Sequence, residues 1–291
     1  MHVNERRMSR FIGYLFSDGS LRRKKNKMGI EQVEVSIECA DLAIVQDFRQ
    51  LCSDILGRNV GKITKRKRDK NWRASYSFYC KLNKEWRKFL FSMSPTFRTS
   101  PCLVNLHGGK LCQKCLTKHY KDTTYPGIKI PRFVYKSNNN IKDFLQAFTN
   151  SEGSVQLRAN RHGKWLEFSR HIKISTEHPL LLKGISRMLK TLKINHRFVP
   201  KTNPNSVIIQ QKESIKKFRK LIGFMGGIRI TPTGIWGNYE KTKILDAIIK
   251  TFDFDRGFLQ TFLDDNEIYS FIKVNHLPDM ASEICRIESL K

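Results

Sequence analysis

Two short apolar segments end in the same way, although they lie in different halves of the chain. FIGYLFSDGS begins at Phe11 and FLQAFTNSEGS begins at Phe144. Each is hydrophobic almost all round at helical spacing, which is typical of a buried helix. Each then finishes in a carboxylate followed by Gly19 or Gly153, and glycine at that place predicts a left-handed helix end. An acidic tip on a buried helix indicates chemistry at the rim of an interface.

The same order of patterns follows both segments. Two stretches that alternate apolar and polar residues, such as VEVSI at residues 33–37, predict a pair of strands. An amphipathic helix, a second pair of alternating runs around a turn, and a closing amphipathic helix come next. The closing helices contain the similar strings WRKFLFSM and FRKLIGFM. The chain therefore consists of two copies of one αββαββα unit.

The spacing of the two copies is nearly constant. Asp18 and Glu152 are 134 residues apart, and the closing strings begin 132 residues apart, at Trp86 and Phe218. This predicts an α+β fold with two pseudo-symmetric halves, each a four-stranded antiparallel sheet backed by helices, packed through the two acidic-tipped helices. The second copy adds a helix at NYEKTKILDAIIKTF.

Composition divides the chain into four parts. The first half takes residues 1–93, a linker rich in Pro, Cys, Gly and Asn takes 94–140, the second half takes 141–252, and an acidic extension takes 253–291. The extension belongs to neither copy of the repeat.

Small residues on the two apolar helices predict how these helices meet. Gly13 and Ala147 occupy matching positions, and small side chains let helix backbones approach closely. Such packing brings Asp18 and Glu152 together. Paired carboxylates suit a hard cation such as Mg²⁺, which can activate water and stabilise a leaving oxygen in phosphodiester hydrolysis.

Charge narrows the choice of partners. The 291 residues carry 54 Lys and Arg against 26 Asp and Glu, a net charge of +28, with −4 from residue 253 onward and +32 before it. A field of this size favours nucleic acids. The basic clusters do not follow one amphipathic helix, and no apolar run reaches the ~18 residues of a membrane span, so the sequence argues against a membrane protein.

The two motifs, FIGYLFSDG and LQAFTNSEG, resemble the signature helices of LAGLIDADG homing endonucleases of the single-chain, two-motif kind, and the resemblance extends over residues 8–252. It implies that Asp18 and Glu152 bind the catalytic Mg²⁺ or Mn²⁺, with the backbone carbonyls of Ser17 and Ser151 completing the shells. It also implies two saddle-shaped sheets in the major groove of double-stranded DNA and cleavage of both strands of a long asymmetric target.

The resemblance has departures. Phe16 and Asn150 stand at the sixth motif position, where an Asp is expected, and Glu152 replaces the Asp of the second motif. This exchange keeps a carboxylate but can unbalance the rates on the two strands. Family members often add a Lys or Gln near the scissile phosphates. Lys84 and Lys212, which begin the helices after each sheet, are the candidates here.

Basic residues on the strands predict the DNA-binding face. Arg and Lys bond guanine edges or phosphates in such interfaces, with solvated surface charge as the alternative for part of the set. The candidates are Arg22, Arg23, Lys24, Lys25, Lys62, Lys65, Arg66, Lys67, Arg68, Arg158, Arg161, Lys164 and Arg170.

A second metal hypothesis concerns the linker. Cys102, Cys112, Cys115 and His119 form C-x9-C-x2-C-x3-H, and the C-x2-C step is common in structural Zn²⁺ sites. Reduced cysteines in a connector are the alternative. Seven cysteines at irregular spacing predict a reducing intracellular compartment, the cytoplasm of a prokaryote or an organelle.

Two classes of function remain after this reading. The first is a monomeric, metal-dependent, site-specific DNA endonuclease with both halves in one chain. The second is a non-cleaving protein on the same scaffold, either a maturase that binds its host intron RNA or a DNA-binding regulator. Retention of both acids favours the enzyme.

Overall fold

The computed structural model describes residues 4–25, 31–57, 60–66, 73–94, 96–97, 99, 125–163, 165–199, 205–232 and 234–277. The four predicted Zn²⁺ ligands of the linker lie outside these ranges, and so do Lys67, Arg68 and Lys164 of the predicted DNA-binding set.

The two halves have the same order of elements, as the repeat predicts. The first half contains α1 (Glu5–Phe16), β1 (Gly19–Lys25), β2 (Glu31–Cys39), α2 (Leu42–Leu56), β3 (Thr64–Arg66), β4 (Ser75–Lys81) and α3 (Lys84–Phe91). The second contains α4 (Asn138–Glu152), β5 (Gly153–His162), β6 (Trp165–Thr176), α5 (Pro179–Thr191), β7 (Arg197–Val199), β8 (Asn205–Ile209) and α6 (Lys212–Leu221). Three more helices follow: α7 (Lys241–Thr251), α8 (Arg256–Gln260) and α9 (Asp265–His276).

Each half contains one four-stranded antiparallel sheet. The strand orders are β1-β2-β4-β3 and β5-β6-β8-β7, so the pairing scheme is identical in both copies. Successive side chains of a strand point to opposite faces. In β6, for example, Phe168, Ile172 and Ile174 are buried on the helix-covered face. The α+β fold class with two pseudo-symmetric halves is therefore confirmed.

The helices α1 and α4 form the centre of the molecule, and their contact depends on Gly13. A Cβ added at Gly13 would lie 2.5 Å from the carbonyl oxygen of Phe144 and 2.9 Å from the Cβ of Ala147. Ring packing of Phe16 against Phe144, with centroids 6.5 Å apart, continues this contact toward the tip. The close approach that the small residues predict is present.

The glycines after the two acids do not have the left-handed backbone conformation that the sequence predicts. Neither Gly19 nor Gly153 has a positive φ, and Gly153 is extended at φ −86° and ψ 139°. A Cβ at Gly19 would instead lie 2.5 Å from the Cα of Leu15, and one at Gly153 would overlap the carbonyl oxygen of Thr149. The expected left-handed ends are wrong. Glycine is required because each chain turns from helix into strand directly against the preceding helical turn.

The acidic extension packs on the second sheet. The open edge of β5 exposes backbone groups that need partners. The backbone N–H of Ala159 donates to Tyr269 Oη at 2.8 Å, and Trp236 Nε1 donates to the carbonyl of Leu157 at 2.6 Å. Phe254 packs against Phe168. Helices α8 and α9 thus complete the helical side of the second half. In the part of the chain that the structure describes, no helix has both the length and the apolar character needed to cross a bilayer.

Candidate active site and nucleic-acid interface

The structure brings the two motif acids together at the tips of α1 and α4. Glu152 ends α4, Asp18 follows α1, and both side chains are partly buried. Burial, with the negative charges of Asp18 and Glu177 and against the positive charge of Lys241, raises the pKa of Glu152 to about 7. A carboxyl with such a pKa lies in a place where negative charge is poorly compensated.

Asp18 has a similar environment. Burial raises its pKa, whereas the side chains of Ser151 and Cys39, acting as hydrogen-bond donors, and the charge of Lys241 lower it. The Ser151 hydroxyl approaches this carboxylate but completes no hydrogen bond of good geometry among the described residues, and it is buried. The site therefore contains a polar oxygen without a full complement of partners beside two carboxylates.

Lys241 is the cation that the chain itself supplies to this site. It begins α7, is 8% exposed, and its Nζ donates to the carbonyl oxygen of Asn150 at 2.8 Å. Burial lowers its pKa, and the charges of Asp41, Asp18 and Glu152 oppose that shift. The sequence analysis missed this residue. Its signal in the sequence is weak, namely that Lys241 occupies the first position of the apolar stripe of α7.

The two predicted lysines begin α3 and α6, as their spacing indicates. Lys84 is exposed, and Lys212 Nζ donates to Asp253 Oδ1 at 2.7 Å, at the start of the acidic extension. No contact among the residues that the structure describes links either one to the acid pair, so their catalytic role stays a prediction. The lysine whose charge acts on both acids is Lys241.

The donor set of the site fits a hard divalent cation. Carboxylate and carbonyl oxygens are the ligands that Mg²⁺ prefers, and Asp18 and Glu152 present two carboxylates next to a partly unsatisfied hydroxyl. Within the described ranges, no three His, Cys, Asp or Glu side chains are arranged to hold a metal ion. Two side chains with the adjacent carbonyls of Ser17 and Ser151 would have to suffice.

The open face of the second sheet is basic. Arg158, His171 and Lys173 lie on strands β5 and β6 at positions that alternate with the buried ones, and Arg197 lies on β7. Burial lowers the pKa of His171, and the positive charges of Lys173, Arg158 and Arg197 lower it further, so the four groups are neighbours. Of these, only Arg158 was in the predicted set. Arg161, also predicted, is exposed and donates to the carbonyl of Phe262 at 3.0 Å.

Arg170, which was predicted to bind DNA, does not lie on the open face of the second sheet. It lies on the helix-covered face of β6, where its guanidinium donates to the carbonyl and hydroxyl oxygens of Thr251 at 2.7 and 2.9 Å. Its guanidinium carbon is also 4.8 Å from the ring centroid of Phe168 and 4.6 Å from that of Phe252. Burial lowers its pKa to about 10. Arg170 joins the sheet to the end of α7.

In the first sheet, Arg23 is displaced in the same way. It alternates in phase with the buried Leu21, stacks 4.5 Å from the ring centroid of Phe91, and lies 3.8 Å from Glu31. It therefore packs toward α3, away from the open face, and its contact with DNA stays a prediction. Arg22 has the opposite phase and points to the open face.

The remaining described candidates on the first sheet differ in their partners. Arg66 on β3 lies 3.5 Å from Glu38, which it partly neutralises. Lys62 and Lys65 are exposed, and Lys24 and Lys25 continue strand β1. Their contact with DNA stays a prediction.

The second half of the chain matches the model of a known protein family. Residues 139–223 match the family model of the LAGLIDADG-like domain. No curated protein matches the chain. Among solved structures, mesophilic variants of the homing endonuclease I-DmoI are 16% identical with a TM-score of 0.47, covering 75% of this chain and 89% of that chain.

Two further structures are similar at the same level. I-DmoI in complex with DNA and Mn is 15% identical with a TM-score of 0.46, covering 76% of this chain and 98% of that one. Full-length DUF199/WhiA from Thermatoga maritima is 13% identical with a TM-score of 0.46, covering 97% of this chain and 70% of that one. The resemblance that the two motifs carry is confirmed: residues 139–223 in the second half match the LAGLIDADG-like domain, and the first half repeats the same strand order.

Proposed function

We propose that this protein is a site-specific, divalent-metal-dependent endonuclease of double-stranded DNA. The observation that carries the proposal is the acid pair Asp18 and Glu152, which meets at the rim of the α1–α4 interface with both pKa values raised. Among the described residues, burying two carboxylates beside a single lysine, Lys241, leaves one negative charge without a partner, which is unfavourable. Their presence is best explained by a ligand that supplies positive charge when the site is at work.

The chain's own residues have distinct parts in this proposal. Asp18 and Glu152 hold Mg²⁺ or Mn²⁺, which when bound activates a water and stabilises the leaving oxygen of the phosphodiester. Lys241, bonded to the Asn150 carbonyl, lowers the repulsion between the two acids. The basic open faces of the two sheets bind the DNA on either side. Because one chain contains both halves, we expect a monomer, in the reducing intracellular compartment that its cysteines indicate.

The test uses a duplex of a few tens of base pairs from the joined sequence that flanks the reading frame, or a randomised duplex library. Purified protein is incubated with and without Mg²⁺ or Mn²⁺, beside Asp18→Asn and Glu152→Gln. We expect metal-dependent cutting at one position, lost in both variants while DNA binding persists. Cutting that survives either substitution would contradict the assignment of the acids.

A second candidate is a non-cleaving binder of DNA, or of host intron RNA as a maturase. The observation that favours it is Lys241, which already brings a buried positive charge to the acids. Tight binding without cutting under any divalent ion would select this candidate, and binding to the intron RNA would then separate a maturase from a regulator.

The two sheet faces predict different effects for two arginines. Arg158→Gln is expected to weaken DNA binding and to reduce the salt dependence by about one unit of slope, because a contact to a phosphate on the open face is lost. Arg170→Gln is expected to leave the slope unchanged and to destabilise the fold, because it removes the bonds to Thr251. Binding titrations at several salt concentrations, with urea unfolding in parallel, check both. A lower slope for Arg170→Gln would show that its guanidinium does reach DNA.

A further inference from the structure

The segment between α6 and α7, residues 222–240 and here named the α6–α7 loop, reaches from the second half across to the first. Arg10 of α1 has its Nη2 2.8 Å from Met225 Sδ. The backbone N–H of Arg229 donates to Asp41 Oδ1 at 3.3 Å. Two points of the loop are thus attached to elements of the other half.

Asp41 is unusual for a residue at the start of a helix. It stands at the N-cap of α2, where an Asp side chain ordinarily bonds the first free N–H groups of its own helix. Its carboxylate makes no such bond. It is 8% exposed, and it accepts from Arg73 Nη1 at 2.9 Å and from the Arg229 backbone. The carboxylate therefore joins the two halves and leaves its own helix without a side-chain cap.

The loop turns back on itself between Arg229 and the start of α7. Arg229 and Glu240 form an antiparallel bridge, and the backbone N–H of Lys241 donates to the Ile228 carbonyl at 2.8 Å. The backbone of Lys241 is thereby bonded to Ile228, the residue directly before the Asp41 contact at Arg229. Its ammonium then reaches the Asn150 carbonyl at the acid pair.

We propose that Asp41 is a positioning residue for Lys241: by holding Arg229, the first half sets the place of the second half's lysine at the acid pair. The proposal rests on the proposed function in that it takes the acid pair to be the working site. The charge of Asp41 also heads the charges that hold up the pKa of Lys241 against burial. Asp41 touches no reacting atom in this scheme. Its negative charge also raises the pKa of Asp18, whereas its positioning role is exerted through Lys241.

Hydrogen–deuterium exchange of the full chain, without DNA or metal, tests the attachment. In Asp41→Ala we expect the amides of Ile230 and Lys241 to exchange at least about tenfold faster, with α5 as internal reference. Asp41→Asn should show a smaller increase, because its amide oxygen can still accept from the Arg229 N–H. The matched control is Asp246→Asn, which breaks the ion pair between Asp246 of α7 and Arg219 of α6 and should leave both amides unchanged. Unchanged exchange in Asp41→Ala, or equal acceleration in the control, would overturn the proposal.

Single-turnover cleavage tests the consequence. Asp41→Asn added to Lys241→Met is expected to cause no further loss of rate beyond Lys241→Met alone, because residues that act as one unit are not additive. Independent, multiplied losses would overturn the role through Lys241. If the chain does not cut DNA, the proposed function fails in this assay while the exchange experiment still decides the attachment.

Discussion

Glu152→Gln is expected to change the free energy of unfolding in a pH-dependent way. The difference between variant and wild type should be about 3 kcal/mol more favourable to the variant at pH 8 than at pH 4.5. The folded state holds the pKa of Glu152 at about 7, above the ordinary value of 4.5. Between these values the folded state binds a proton that the unfolded state has lost. The free energy of unfolding of the wild-type protein therefore falls as pH rises through this window and stays low above it. Glutamine is neutral throughout and escapes the loss.

Urea unfolding of both proteins at pH 4.5, 6 and 8 measures this difference. Glu213→Gln is the control, since this carboxylate is 80% exposed on α6 and should give a curve parallel to the wild type. Adding Mg²⁺ at pH 8 should raise the stability of the wild type more than that of Glu152→Gln, because a ligand that binds only the folded state stabilises it. Parallel pH curves for Glu152→Gln and wild type would show that the carboxyl is not forced toward its neutral form.

Gly13→Val is expected to lower the free energy of unfolding by about 4 kcal/mol, and Gly13→Ala by about 2 kcal/mol. A Cβ at this position meets the backbone of α4 at Phe144, which no change of rotamer can relieve. The two central helices must move apart, and the packing of Phe16 on Phe144 loosens with them. The loss outweighs the ~1 kcal/mol that alanine gains over glycine inside a helix.

The matched control is Gly184→Ala in α5, another glycine inside a helix. The atom that its Cβ would meet first is the end of the flexible Ile130 side chain, which can move aside. We expect stability within about 1 kcal/mol of the wild type, since the helix propensity gain and the small adjustment nearly cancel. Urea midpoints compare the three variants. If Gly13→Ala were as stable as Gly184→Ala, the α1–α4 interface would be able to accommodate a methyl group at position 13 without loss of packing.

Periodicity and repetition were enough to predict the parts of the site that both halves share. Asp18 and Glu152 were found because a duplicated unit places equivalent residues at a constant offset, and a repeated topology then brings them together. Gly13 was found for a related reason, since a small residue on an otherwise bulky apolar helix has few explanations besides close packing. These inferences needed only patterns local to each helix.

Two arginines of the predicted DNA-binding set, Arg170 and Arg23, lie on the other face of their sheets. They were chosen because they belong to basic runs, without regard to which face of the strand each position occupies. Arg170 is in phase with Phe168 and Ile172, and Arg23 is in phase with Leu21, so alternation assigns both to the helix-covered face. His171 and Lys173 have the opposite phase and were overlooked. The alternation of apolar and polar positions along each strand was enough to assign these faces, but the residues were selected by the density of basic residues instead.

Lys241 and Asp41 were beyond the reach of pattern alone. Neither has an equivalent in the other copy of the repeat that would mark it. Asp41 contacts the Arg229 backbone, 188 residues away in the other half, and Lys241 contacts the Asn150 carbonyl, 91 residues away. A lysine at the head of an apolar stripe is a weak signal, because long side chains often reach solvent from such positions. Only the path of the α6–α7 loop shows that this one does not.

The covered edge of β5 limits where the second half could be separated from the rest of the chain as an independent domain. Trp236 comes from the α6–α7 loop, but Tyr269 belongs to α9, beyond the last element of the repeated unit. A second half excised at Thr251 would keep its sheet and lose the phenol that occupies the Ala159 N–H. The unpaired backbone groups of β5 could then pair with strands of other copies. An engineered single-motif homodimer should therefore retain α8 and α9, which cover this edge and prevent aggregation.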